Sequence, residues 1–246
     1  MAEYEKKRKL AQYYADSLNY EKLRLTCLDA LKDRPRDPWM LSALSHAYYN
    51  LCMYDECIGA CLDAIAHGTS PYDRAYDYDR LALTYSIHLG DHAKGEEYAR
   101  IAVEGQPGTA VFLAHYALEI AHGSRSCDRR GRIGRMRKAL ALFKRAEAID
   151  PGNYLVLHCK SILYRNYFRD RKAEAEILAR MVAVSGDPHR TNCSLAAFHE
   201  KYGEFDEAHA YYAEALKLRP DIGESRDKLN ELVAMGSGRT AGRRDI

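Results

Sequence analysis

The chain has 246 residues, 47% hydrophobic and 29% charged, with a formal net charge of +2. That balance is ordinary for a folded, soluble chain, and a charge so near zero excludes a global field that would draw in nucleic acid or membrane. No apolar run approaches the roughly 18–20 residues of a membrane span, and the opening MAEYEKKRKLAQYY has no apolar core for a secretory signal, so a cytoplasmic protein without membrane contact is expected.

Only 7 prolines are present, which fits a mostly helical chain. The 7 cysteines are odd in number and follow no framework spacing, so reduced thiols are expected. Tyrosine is frequent, 19 against 5 Phe and 1 Trp. Its ring packs while its hydroxyl stays wet, which suits half-buried positions.

In chain order, the elements fall into pairs marked by an alanine near the end of each second helix. Ala30 lies in CLDALKDRP and Ala64, one period later, in CLDAIAHGT. Ala102 follows in ARIAVEGQP, the loop HGTSPYD and a longer inner turn supplying the extra residues. Ala146, in FKRAEAIDP, comes later still because of the segment SRSCDRRGRIGRM. The next marker position holds Arg180, and Ala215 closes the series in YAEALKLRP. Pro35, Pro107, Pro151 and Pro220 stop second helices in register. Six hairpins result: 4–37, 38–72, 73–106, 107–153, 154–187 and 188–221. The amphipathic stretch 222–235, with Leu229, Leu232 and Val233 on one face, is expected to cap the stack. The tail 236–246 lacks apolar periodicity and is expected to be disordered.

Small residues sit where helices must cross closely: Ala114, Ala139, Ala173, Ala196 and Ala208. Leu44, Tyr48, Tyr85, Leu113, Phe143, Tyr164, Leu195 and Tyr212 fill the spaces between hairpins. The period near 34 residues, with Gly203, Phe205, Ala208, Tyr212, Ala215, Leu216 and Pro220 in GEFDEAHAYYAEALKLRP, resembles the tetratricopeptide repeat (TPR). The resemblance implies an all-α, right-handed superhelical solenoid of about six hairpins with a C-terminal capping helix. The match is uneven: the third hairpin needs an extra residue at LGDHAKG, and the fifth has Lys160, Ser161 and Arg180 where the family prefers Leu, Gly and Ala.

The resemblance also implies that the first helices line a concave, partner-binding face. Counting in phase places Arg8, Gln12, Trp39, His46, Tyr49, Asn50, Tyr76, Asp79 and Leu83 there, followed by His115, Leu118, His158, Ile162, Arg165 and Asn166. Aromatics with Arg and His are enriched at interfaces, so a peptide or helical segment of a partner protein is the expected guest. The bland reading is that these rings pack on neighbouring first helices. One TPR subclass clamps a C-terminal carboxylate with Lys, Asn and Arg. The matching places hold Arg8, Gln12, His46 and Arg80, so the asparagines of that signature are missing.

Between the helices of the fourth hairpin, residues 124–136 carry Arg125, Arg129, Arg130, Arg132 and Arg135, offset only by Asp128. Arginine forks suit phosphates and carboxylates, so nucleic acid or an acidic partner is the alternative guest. The bland reading is a solvated segment paired to nearby acids, partly extending the flanking helices. No aromatic lies inside it to stack a base. A third reading is weak end-to-end self-association if the cap is displaced.

No enzyme, metal or cofactor signature emerges. Cys52, Cys57 and Cys61 lie near His46 but without the spacing of a zinc knuckle; Cys57 and Cys61 fall at packing positions. Asp73, Asp77 and Asp79 lack the Gly and closing Glu of a calcium loop. His88, His92, His115, His122, His158 and His199 are scattered, with no nucleophile motif beside them. The expectation is an adaptor or scaffold that binds without catalysing a reaction.

Overall fold

The computed structural model describes residues 2–220 and 226–231. Twelve α-helices form six antiparallel hairpins among these residues, and no strand is present among them. The hairpins are α1 (Ala2–Asp16) with α2 (Tyr20–Asp33), α3 (Pro38–Asn50) with α4 (Tyr54–His67), and α5 (Pro71–Leu83) with α6 (His92–Gly105). They continue as α7 (Ala110–Gly123) with α8 (Arg129–Ile149), α9 (Tyr154–Leu163) with α10 (Arg171–Val184), and α11 (Pro188–Lys201) with α12 (Phe205–Leu218).

Local chemistry sets the helix starts. Asn19, Asp37, Ser70, Asp91, Asp128, Asn153, Asp170 and Asp187 each accept a hydrogen bond from a first-turn backbone N–H. Pro38, Pro71 and Pro188 follow three of these caps, where a missing N–H costs nothing. Inside five hairpins one residue turns the chain with positive φ: Leu18, Cys52, Gly90, Arg169 and Gly203. The fourth hairpin turns differently, through a 3₁₀ turn at Ser124–Ser126. The arginines from Arg129 onward therefore lie on the first turns of α8, which absorbs most of the segment 124–136.

The third and fifth hairpins, the two whose sequences depart from the repeat, share a device. In each, the first helix ends in a π-helical turn, Thr84–His88 after α5 and Tyr164–Phe168 after α9. A wider turn accommodates additional chain without breaking the helix.

By packing, the chain divides into two compact units, Met1–Asp150 and Pro151–Ile246, within what the sequence treats as one solenoid over 4–235. In the first, Leu23, Cys27, Ala30, Met40 and Leu44 join the first two hairpins. Cys57, Cys61 and Leu81, with Tyr85 and Tyr98, join the second to the third. Ala75, Ala102 and Phe112 join the third to the fourth. In the second unit, Leu157, Ile177, Leu178, Met181 and Phe198 form one core and Ala196, Ala208 and Tyr212 another. Residues 226–231 of the expected cap are helical, and Leu229 packs on that last cluster. The rest of the expected cap and the tail 236–246 lie outside the described residues.

Candidate partner-binding groove

In the first unit α1, α3 and α5 present their faces to a concavity of about 780 Å³. Arg8, Gln12 and Asp16 come from α1, Trp39, Ser42 and His46 from α3, and Tyr72, Asp73, Tyr76, Asp77 and Arg80 from α5. Residues three and four apart on a helix share a face, so one register on each first helix suffices to line a trough.

Three rings dominate the lining. Tyr72 and Tyr76, one turn apart on α5, are 64% and 52% exposed. Tyr76 rests edge-on against Phe112 at 5.0 Å, which supports one side of the ring and leaves the rest open. Half-buried Trp39 has the Arg8 guanidinium 4.9 Å above its centre, a cation–π contact. His46 meets Tyr20 edge-on at 5.5 Å.

The polar side chains are largely anchored. Arg80 donates to Ser45 Oγ at 2.6 Å, to Asp77 Oδ1 at 3.1 Å and to the Ser42 carbonyl at 3.2 Å, tying α5 to α3. Burial pushes the Asp77 carboxyl above the usual range, while Arg80 and the serines oppose it. Ser70 and Thr69 hydroxyls hold Asp73 below the usual range. Gln12 donates to Asp16 at 2.8 Å. Arg8 at one edge and Asp73 at another are exposed charges of opposite sign.

Of the residues counted onto the concave face, the fold brings Arg8, Gln12, Trp39, His46 and Tyr76 together here. The four places implied by the carboxylate-clamp resemblance, Arg8, Gln12, His46 and Arg80, share this concavity as well. Others are engaged elsewhere. Tyr49 packs edge-on to Tyr54 and His88, and Asn50 donates to the His46 carbonyl. Buried Asp79 accepts from His115 Nδ1 at 2.9 and 3.0 Å, so this pair joins α5 to α7. Leu83 and Ile162 are half-buried and Leu118 is buried. In the second unit His158 Nδ1 meets Ser194 Oγ at 3.2 Å, Arg165 is bound to the buried Glu174, and Asn166 is exposed. Arg125, Arg129, Arg130 and Arg132 are exposed, whereas Arg135 pairs with Glu96 and donates to the Ile120 carbonyl.

The phase count passed over Tyr72, Asp16, Ser42 and Asp77. Tyr72 carried a usable signal, because it precedes Tyr76 by one helical turn directly after the Ser70–Pro71 helix start.

Residues 189–222 match the tetratricopeptide repeat in sequence. The fold is that of a tetratricopeptide-repeat protein. TTC0263, a thermophilic TPR protein of Thermus thermophilus, superposes with a TM-score of 0.53 at 18% identity, over 94% of this chain and 99% of that one. A chain of the APC/C hetero-tetramer Cut9–Hcn1 gives 0.63 at 15% identity, over 90% of this chain. The human IFIT1 dimer with m7Gppp-AAAA gives 0.62 at 17% identity, over 89%. This chain spans 41% and 51% of those two larger chains. At such identities the likeness establishes the TPR fold alone. No curated protein matches the chain in sequence. No helix among the described residues is long and apolar enough to cross a membrane.

Proposed function

We propose that this TPR chain is a binding scaffold that holds an extended or helical segment of a partner protein in the groove of α1, α3 and α5. The observation that carries this reading is the trio Trp39, Tyr72 and Tyr76 around one 780 Å³ concavity, two of them more than half exposed. Tyrosine and tryptophan offer large contact area at low conformational cost. Because Arg80, Asp77 and Gln12 are already anchored, the host orders few side chains on docking, which lowers the entropic cost of binding. Apolar guest side chains would sit on the rings, with Arg8 and Asp73 selecting the guest's charge pattern. The mechanism of this groove is binding, with no reaction catalysed.

The test places a photo-crosslinking residue at position 76 of the full chain, identifies what it captures, and measures the affinity of that purified partner. Changing Tyr72 and Tyr76 together to Ala should weaken binding at least tenfold, roughly 1.4 kcal/mol, with the circular dichroism unchanged. Unchanged affinity would overturn the reading.

Exposed Arg129, Arg130 and Arg132 on the first turns of α8 favour a second reading, an acidic or nucleic-acid guest. The human IFIT1 dimer, of the same general fold, is seen with m7Gppp-AAAA. This reading expects steep weakening with salt and insensitivity to the Tyr72 and Tyr76 changes.

A further inference from the structure

Away from the groove, the third and fourth hairpins bring together three side chains that the sequence scatters. His92 opens α6, and Glu119 and His122 lie one turn apart on α7. Each offers a ligand atom, and these atoms all lie within 4.8 Å of one another. His122 Nδ1 is 3.4 Å from Glu119 Oε2. That is already the separation expected of two ligands on one tetrahedral ion, about 3.3 Å for bonds of about 2.0–2.1 Å.

Three features mark this as a built site. Glu119 is only 1% exposed, and its Oε2 makes no hydrogen bond. A buried carboxylate without a compensating charge is costly, so a carboxylate retained here calls for a cation. Next, the π-helical turn Thr84–His88 delivers buried Ser86 to the cluster, where its Oγ lies 2.9 Å from His92 Nδ1 and 3.2 Å from His122 Nδ1. That contact orients both imidazoles toward one another, 4.8 Å between ring centres. Finally, α6 approaches through Gly95, where a Cβ would fall 2.7 Å from Ser86 Cβ and 3.0 Å from Glu119 Oε2. Half-buried His92 and His122 leave the cluster a route to solvent.

We propose that His92, Glu119 and His122 form a divalent transition-metal site, best suited to zinc, that pins α6 to α7. Two imidazoles and one carboxylate are a zinc donor set that leaves a fourth position for water. The Ser86 hydroxyl stands beside that position as a hydrogen-bonding neighbour. Ligands drawn from two hairpins make the ion a staple between repeats, and binding to the folded state alone raises stability by mass action.

The experiment titrates zinc into the chelator-stripped full chain by calorimetry, with a parallel thermal melt and a cobalt absorption spectrum. The expected result is one ion per chain, a Tm rise of about 5–10 °C at metal 100-fold above Kd, and a cobalt spectrum without thiolate charge-transfer bands. Glu119→Gln and His122→Ala should each weaken zinc at least tenfold. Glu119→Gln is nearly isosteric and replaces a carboxylate whose Oε2 makes no hydrogen bond, so its metal-free form keeps its fold and decides the matter if the histidine variant unfolds. Absence of binding, binding that survives Glu119→Gln, or thiolate bands pointing to Cys57 and Cys61 would each overturn the proposal.

Discussion

Among the described residues two glutamates are buried beside the same local device, and their surroundings differ sharply. Glu174 on α10 is fully buried and fully answered: Arg165, from the π-helical turn that follows α9, donates to Oε1 at 2.5 Å and the Tyr202 hydroxyl to Oε2 at 3.2 Å. Glu119 on α7 lies beside the other π-helical turn, which brings Ser86 and, with it, two histidines. Its Oε2 remains without a hydrogen bond. A buried carboxylate with a guanidinium and a phenol is a structural tie. One with two imidazoles and no fixed cation is a place where a ligand can supply the charge.

The largest effect that separates the two comes from removing the cation. Arg165→Ala should strand the Glu174 charge and destabilise the second unit by about 3–5 kcal/mol, and adding Glu174→Gln should recover part of that loss in denaturant melts. Glu119→Gln alone, in metal-free protein, should leave stability unchanged or raise it. A loss comparable to that of Arg165→Ala would erase the distinction.

Next in size is the approach of α6. Gly95→Ala sets a methyl against Ser86 and the Glu119 carboxylate and should cost about 1–3 kcal/mol through overpacking. It should also abolish zinc binding. Retained zinc affinity with full stability would show the cluster to be looser than its geometry.

The inner turns of the same two hairpins give a smaller contrast. Gly90 turns the third hairpin at φ +70° with open space around it, and Arg169 turns the fifth at φ +54°. Arg169→Gly should stabilise by up to about 1 kcal/mol, and Gly90→Ala should cost about the same. Equal and negligible shifts in Tm for both would mean that neither turn carries backbone strain.

The smallest effect is acid dependence beside the fifth hairpin. Arg171, then His199, hold the Glu204 carboxyl below its usual value of 4.5. A depressed carboxylate contributes stability that is full above 4.5 and lost as pH falls through its folded value. Arg171→Ala should therefore flatten the acid side of the pH–stability curve slightly, because the pair is exposed and screened. A curve of unchanged shape would assign the acid response to other groups.

The concave face was partly legible. The phase count reaches Arg8, Gln12, Trp39, His46 and Tyr76 because a helix repeats its face every three to four residues. It cannot tell that Asp79 and His115 pair with each other, since that depends on how far one hairpin is displaced against the next. Tyr49 is drawn toward Tyr54 and His88 for a related reason: it sits in the last turn of α3, beside the inner turn.

By itself, the sequence determined the helical class, the hairpin period and the helix starts. All three rest on local chemistry: alanines at close crossings, Asp, Asn or Ser caps, and prolines after second helices. Only the tertiary structure decided which buried charges are satisfied and that His92, Glu119 and His122 converge. His92 lies nearly one repeat from Glu119 and His122 in the chain, and the geometry of that cluster depends on a π-helical turn and a close approach at Gly95 that no short motif encodes.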